Sequence, residues 1–116
     1  ILPDRVRLMK EDQLPFENNT FGTIILDNVL EHLDDSTMLM REVVRVLHKG
    51  GRVIILVPGH KGYSRDPDHK RFYNFHSLQE LANQHNLKVL NQRSMPLPFL
   101  SKLLSFYCYF TVLERQ

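Results

Sequence analysis

The sequence predicts an α/β fold whose sheet is mostly parallel. Residues 23–26 and 52–57 form two short runs rich in β-branched side chains, each followed by turn-forming residues, which is typical of strands buried on both faces. Between them, residues 36–48 carry apolar side chains at helical spacing. A strand, helix and strand of these lengths predict parallel strands joined by a right-handed crossover.

The segments around this unit are expected to be short. Residues 5–9 alternate between basic and apolar side chains, which predicts a strand. Residues 14–20 contain a proline and two asparagines and therefore predict a loop. Gly50 and Gly51 are expected to end the first helix, because glycine readily adopts the backbone conformation found at helix C-termini.

The C-terminal half predicts a second helix and two more strands. A Ser-x-x-Glu run begins at Ser77 and has the spacing of a capping box, so a helix is expected over residues 77–85. Asn86 is expected in the left-handed conformation that ends such a helix. The β-branched and aromatic residues in 87–90 and 106–113 then predict strands.

The composition excludes several classes of function but does not identify one. The 116 residues, 42% hydrophobic and 24% charged, suit one modest core. A formal net charge of +2 argues against a general binder of nucleic acid or anionic membranes. No run is long and apolar enough to predict a membrane span. Cys108 is the single cysteine, so no internal disulfide can form and a cytoplasmic location is expected.

Three motifs stand in order along the chain: LPFENNTF at residues 14–21, DNVLEHL at 27–33 and REVVRVLHKGGR at 41–52. In order and spacing they resemble the class I S-adenosylmethionine-dependent methyltransferases. A fourth block, DHKRFY at residues 68–73, is similar to the segment that these enzymes place over the acceptor pocket. The resemblance implies a Rossmann-like methyltransferase fold, S-adenosylmethionine as cofactor and methyl transfer to a small-molecule acceptor.

The resemblance covers the C-terminal half of that fold. The family begins with a strand, a Gly-x-Gly-x-Gly loop, a helix and a second strand, and none of these is found in this sequence. Residues 1–116 are therefore expected to form a single partial domain, a fragment or half of the full enzyme. The sheet edge left open is expected to pair with a complementing N-terminal half or in a homodimer. A non-catalytic binding or dimerisation module that has lost the cofactor loop is the alternative.

The cofactor site is expected beyond the carboxyl ends of the parallel strands, where open α/β sheets bind ligands. Asp27, Asn28 and Val29 follow the first of these strands, and by resemblance they are expected to contact the cofactor near its methionine part. The plainer alternative is that Asp27 and Asn28 only cap the next turn. Pro58 and Gly59 follow the second strand.

The catalytic and acceptor residues are expected around the loop at 60–76, which mixes basic and aromatic side chains. His32 and His69 are predicted to orient the acceptor or take its proton. Arg71 and Tyr73 are predicted to bind the acceptor, which the basic loop suggests is anionic. The alternatives are a structural hydrogen bond for His32 and a solvated loop.

No metal site is expected. The histidines at 60, 69 and 76 have no compact ligand spacing and no cysteine partners. Glu31 is interpreted as either a ligand-binding carboxylate or a residue that favours the start of the next helix, with the second reading preferred.

Overall fold

The computed structural model describes residues 6–10, 12–59, 63–64, 66–95 and 108–116. In chain order the elements are β1 (Phe21–Asp27), a 3-10 turn (Leu30–His32), α1 (Thr37–Val46), β2 (Leu47–Pro58), α2 (Phe75–Gln84), β3 (Leu87–Met95) and β4 (Cys108–Arg115). The α/β class predicted from the sequence is confirmed.

The four strands form one sheet in the order β1-β2-β4-β3. β1 and β2 pair in parallel, as the strand, helix and strand pattern predicted. β4 pairs antiparallel with both β2 and β3. Three strands therefore run in one direction and β4 runs in the other, which agrees with a mostly parallel sheet.

One apolar core joins the helices to the sheet. The stripe of α1 at Leu39, Met40, Val43 and Val46 is buried because these positions recur every three or four residues on one helix face. The buried cluster as a whole comprises Leu26, Leu30, Leu39, Met40, Val43, Leu47, Val53, Ile55, Val57, Tyr73, Leu78, Leu81, Ala82, Leu87 and Leu113. Among the described residues, no helix has the length and apolar character needed to span a membrane.

The first helix ends before its two glycines. α1 stops at Val46, and β2 already begins at Leu47, so the prediction that Gly50 and Gly51 end the helix is wrong. Gly50 instead lies in an irregular stretch of β2 with φ of 75°, where the β1 register shifts. A Cβ on Gly51 would lie 2.8 Å from the carbonyl oxygen of His48, so this stretch requires glycine.

Two expectations about the N-terminal half are also wrong. Residues 6–9 form no strand, because they pair with no other strand in the described chain. β1 is not buried on both faces: Leu26 is its one buried residue, and Ile25 is 61% exposed. The reason is the position of β1 at the edge of the described sheet, which a strand pattern cannot reveal.

The second helix begins earlier than predicted. Asn74 is its N-cap, and its side-chain oxygen accepts a hydrogen bond from the Ser77 amide at 2.9 Å. The Ser77 hydroxyl accepts a bond from the Asn74 amide in return, so Ser77 is the third helical residue and not the cap. Asn86 has the predicted left-handed conformation, with φ of 55°. The predicted strand start at residues 106–107 lies outside the described residues.

Candidate functional site

The candidate site lies at the carboxyl end of β1. Asp27 pairs with Leu56 of β2, and the Asn28 amide donates a hydrogen bond to the Leu56 carbonyl at 2.9 Å. Asn28 then turns the chain with φ of 54°, a conformation that asparagine tolerates better than most residues. Its side-chain amide donates to the Asp27 carboxylate at 2.9 Å, and both side chains are exposed. Val29 is half-buried against the core.

The 3-10 turn that follows places a carboxylate inside the protein. Glu31 is fully buried, while the His32 side chain remains 38% exposed. The backbone carbonyl of Glu31 accepts hydrogen bonds from the amides of Lys70 and Arg71, at 2.7 and 3.2 Å. These bonds hold the segment after β2 against the end of β1, although about forty residues separate the two in the chain.

This contact brings both predicted catalytic histidines to Glu31. One carboxylate oxygen, Oε1, lies 3.8 Å from Nε2 of His32 and 4.0 Å from Nε2 of His69. The two imidazole rings have centroids 4.8 Å apart. Burial raises the pKa of the Glu31 carboxyl, and the nearby Asp27 carboxylate raises it further. A buried acid and two imidazoles therefore share one small region.

Tyr63 fixes the orientation of the His69 ring. Its Nδ1 lies 2.9 Å from the Tyr63 carbonyl oxygen, and because a carbonyl can only accept, Nδ1 carries the proton. The imidazole also stacks on the Tyr63 ring, with centroids 5.4 Å apart and planes 16° apart. Nε2 therefore faces Glu31, with an oxygen of the Asp66 carboxylate 3.5 Å away.

The two predicted acceptor residues lie together but in different surroundings. Arg71 is exposed, and its guanidinium carbon lies 6.0 Å from the centre of the Tyr73 ring. Tyr73 is only 4% exposed, and its hydroxyl donates a 3.4 Å hydrogen bond to Ser36. Within the described part of the chain, no side-chain hydrogen bond or ring contact joins this pair to His32 or His69. Their acceptor contacts stay a prediction.

The sequence left Glu31 open between a ligand-binding carboxylate and a residue that favours the next helix, and it did not predict that Glu31 is buried between the two histidines. Its position between Leu30 and Leu33 is the sequence signal for a buried carboxylate. Of the three histidines considered as metal ligands from the sequence, only His69 lies beside Glu31 within the described residues. His76 is exposed and pairs with Glu80 at 3.3 Å, and His60 lies outside the described residues.

Comparison with known proteins finds one matching family model and several relatives. The profile of a family described as "Methyltransferase domain" matches residues 3–55. YafE of Escherichia coli K12 is 34% identical over 104 residues, which span 78% of this chain and 50% of YafE. The ubiquinone/menaquinone biosynthesis C-methyltransferase UbiE of Idiomarina loihiensis is 42% identical over 53 residues, 44% of this chain and 21% of UbiE.

The fold has solved counterparts as well. A SAM-dependent methyltransferase from Aquifex aeolicus superposes with a TM-score of 0.73 at 15% identity, covering 94% of this chain and 53% of that one. At this identity the likeness concerns the fold alone. The chain spans half the length of YafE and about a fifth of UbiE.

Proposed function

We propose that this chain, whose residues 3–55 match a methyltransferase-domain family, is part of a class I methyltransferase and takes part in methyl transfer from S-adenosylmethionine to a small-molecule acceptor. The observation that carries the proposal is the meeting of His32 and His69 at Glu31, in the segment that directly follows Asp27 and Asn28 at the carboxyl end of a parallel strand. Residues 1–116 act here as one partial domain in an enzyme that also supplies a glycine-rich cofactor loop. The single cysteine favours a cytoplasmic enzyme.

The cofactor side of the proposal rests on Asp27, Asn28 and Val29. S-adenosylmethionine carries a positive sulfonium and a positive amino group, and an exposed carboxylate at Asp27 attracts both. The Asn28 side chain holds that carboxylate in place through its 2.9 Å hydrogen bond. Val29 offers apolar surface beside the two polar residues. The sulfonium already activates the methyl group, so the protein has to align the acceptor and exclude water.

The acceptor side rests on His32, His69, Arg71 and Tyr73. His32 is partly open to solvent and is the better placed of the two histidines to take a proton from an acceptor. Arg71 supplies an exposed cation for an anionic acceptor. Tyr73 lies beneath the Arg71 guanidinium, so its proposed contribution is to orient that cation through its ring.

The partner we propose is the glycine-rich half of the fold. The edge of the described sheet at β1 exposes Ile25, and an apolar hollow beside it is lined by Met9, Phe21 and Val43. An exposed strand edge next to apolar side chains requires a covering element. A glycine-rich half in the same or another polypeptide fits this edge, and a second copy of the chain is the competing occupant.

A second candidate function is a non-catalytic binding or dimerisation module. The observation that favours it is the exposed edge at β1, where Ile25 lies beside an apolar hollow that suits a partner chain. Such a module would keep the sheet and its edge while binding no cofactor.

Calorimetry with S-adenosylmethionine separates these functions. We would join the N-terminal part of I. loihiensis UbiE to this chain, and use intact UbiE as the positive control. We expect saturable binding by the chimera, weakened about 10-fold by Asp27→Asn through the loss of a charge contact worth about 1.4 kcal/mol. Glu80→Gln, which also removes an exposed carboxylate and lies on α2, is the matched control. A folded chimera that binds no cofactor would favour the module.

A further inference from the structure

We propose that Glu31, His32 and His69 bind a divalent transition-metal ion. Each residue offers one ligand atom, and the three atoms lie within 4.8 Å of one another. The site goes beyond methyl transfer, and binding of the ion depends on no cofactor or acceptor. It is assembled from two distant segments, which explains why histidine spacing along the chain gave no sign of it.

The buried carboxylate is the first argument. Glu31 is fully buried, yet neither of its side-chain oxygens accepts a hydrogen bond within the described part of the chain. Burying an unpaired carboxylate is costly, so such groups pair with a cation or coordinate a metal. The nearest candidate partners, the two imidazole Nε2 atoms, lie at 3.8 and 4.0 Å, beyond hydrogen-bond distance. An ion between the three groups would satisfy the carboxylate.

The distances are compatible with such an ion. Ligand bonds to zinc of about 2.0–2.2 Å place tetrahedral ligand atoms about 3.3 Å apart. The present separations, up to 4.8 Å, therefore need to contract by about 1 Å or less on average when the ion binds. The His32 side chain is 38% exposed, so it has room to move toward the ion. The same exposure gives the ion a path from solvent to the site.

The second argument is the hydrogen bond that holds the His69 ring on the side away from Glu31. Histidine ligands in proteins usually donate their other ring N–H to a carbonyl or carboxylate, which fixes the ring and directs the lone pair at the metal. His69 does this: Nδ1 donates to the Tyr63 carbonyl at 2.9 Å, and Nε2 faces Glu31. A metal-free alternative is an ion pair between protonated His69 and Asp66, at 3.5 Å.

The donor set indicates the class of ion. Two imidazoles and one carboxylate suit Zn²⁺ and the neighbouring first-row ions, and they disfavour Mg²⁺ and Ca²⁺, which prefer oxygen ligands. Three protein ligands leave at least one coordination position open. One further step rests on the proposed function: an acceptor oxygen fits the open position, where the ion would make its proton easier to lose. His32 would then act as a metal ligand and not as the group that takes the proton.

The test is a titration of Zn²⁺ into the chelator-treated chain, followed by calorimetry and repeated with Co²⁺ followed by visible absorption. We expect one ion per chain at micromolar or tighter affinity. Glu31→Gln and His69→Asn should each weaken binding about 10-fold to 100-fold. The matched controls are Glu80→Gln and His76→Asn, the same residue types in an exposed pair, and both should leave the affinity unchanged.

Thermal unfolding distinguishes a variant that has lost metal binding from one that has lost its fold. Glu31→Gln keeps the size of the side chain and removes a buried charge, so the metal-free variant should unfold at the same temperature as the parent or higher. At the same Zn²⁺ concentration, the unfolding temperature of the parent should then rise more than that of the variant. Unchanged Zn²⁺ affinity in Glu31→Gln and His69→Asn, or no binding by the folded parent chain, would overturn the proposal. Neither result depends on methyl transfer.

Discussion

Two charged residues on α1 organise the loop that precedes β1. The Arg45 guanidinium donates hydrogen bonds to the carbonyls of Phe16 and Leu14, at 2.8 and 3.1 Å. It also donates to both carboxylate oxygens of Glu42, at 2.5 and 2.9 Å. Glu42 in turn accepts a 2.9 Å bond from the Leu14 amide. One ion pair thus satisfies three backbone groups of a loop without regular structure: the Leu14 amide and the carbonyls of Leu14 and Phe16.

This pair gives a prediction of pH dependence. The hydrogen bonds from Arg45 and from the Leu14 amide lower the pKa of the Glu42 carboxyl. A lowered pKa in the folded state means that the stability it contributes is present above the ordinary glutamate pKa and is lost as the pH falls through the lowered value. Glu42→Gln should therefore cost about 1–2 kcal/mol at neutral pH and little in strong acid.

Urea unfolding at several pH values measures that difference. Glu17→Gln is the matched control, because Glu17 lies in the same loop with an exposed side chain. An equal loss of stability at neutral and acidic pH in Glu42→Gln would contradict an electrostatic role for the pair.

At the scale of elements, the sequence predicts a strand or helix well when the pattern that specifies it lies within one segment. β1, α1 and β2 follow from side-chain patterns within each segment, and their order and parallel pairing were predicted correctly. The place of β4 between β2 and β3, and the edge position of β1, depend on contacts between distant segments. No local pattern carries that information, so the burial of β1 was predicted wrongly.

The candidate site was also predicted only in the part that depends on local sequence. The position of Asp27 and Asn28 at a strand end follows from their place after an apolar run. The meeting of His32 with His69 depends on backbone hydrogen bonds from Lys70 and Arg71 to Glu31. Those bonds form only once the chain has folded. The sequence could therefore name His32 and His69 as candidates but could not predict that they meet.

The start of α2 offers a test between two overlapping capping patterns. Asn74 and Ser77 form the observed box, whereas the sequence also offers Ser77 with Glu80. Asn74→Ala should cost about 1 kcal/mol, because the helix loses its N-cap acceptor. Glu80→Ala should cost far less, since Glu80 is exposed and takes no part in the cap. Equal losses for both variants in urea unfolding would favour the predicted start instead.

At the scale of the whole molecule, the two edges of the described sheet differ in character. β3, at one edge, exposes Lys88, Asn91 and Arg93, and charged or polar residues of this kind discourage pairing with another strand. β1, at the other edge, exposes Ile25 beside an apolar hollow. The asymmetry indicates that one edge is built to face solvent and the other to be covered.

This difference predicts how the chain behaves alone. Without a covering half, β1 should mediate concentration-dependent self-association, because its unpaired backbone groups and Ile25 can pair with a second copy. Ile25→Lys places a charge at that edge and should weaken association at least about 10-fold, or about 1.4 kcal/mol. Leu90→Lys is the matched control: Leu90 is 39% exposed on β3, at the polar edge.

Light scattering over a concentration series measures both variants against the parent. If the glycine-rich half is the natural occupant, adding it should dissociate the self-associated chain, and Ile25→Lys should weaken that complex as well. Self-association that responds equally to Ile25→Lys and Leu90→Lys would place the contact elsewhere. A parent chain that stays monomeric over the whole concentration series would contradict pairing through β1.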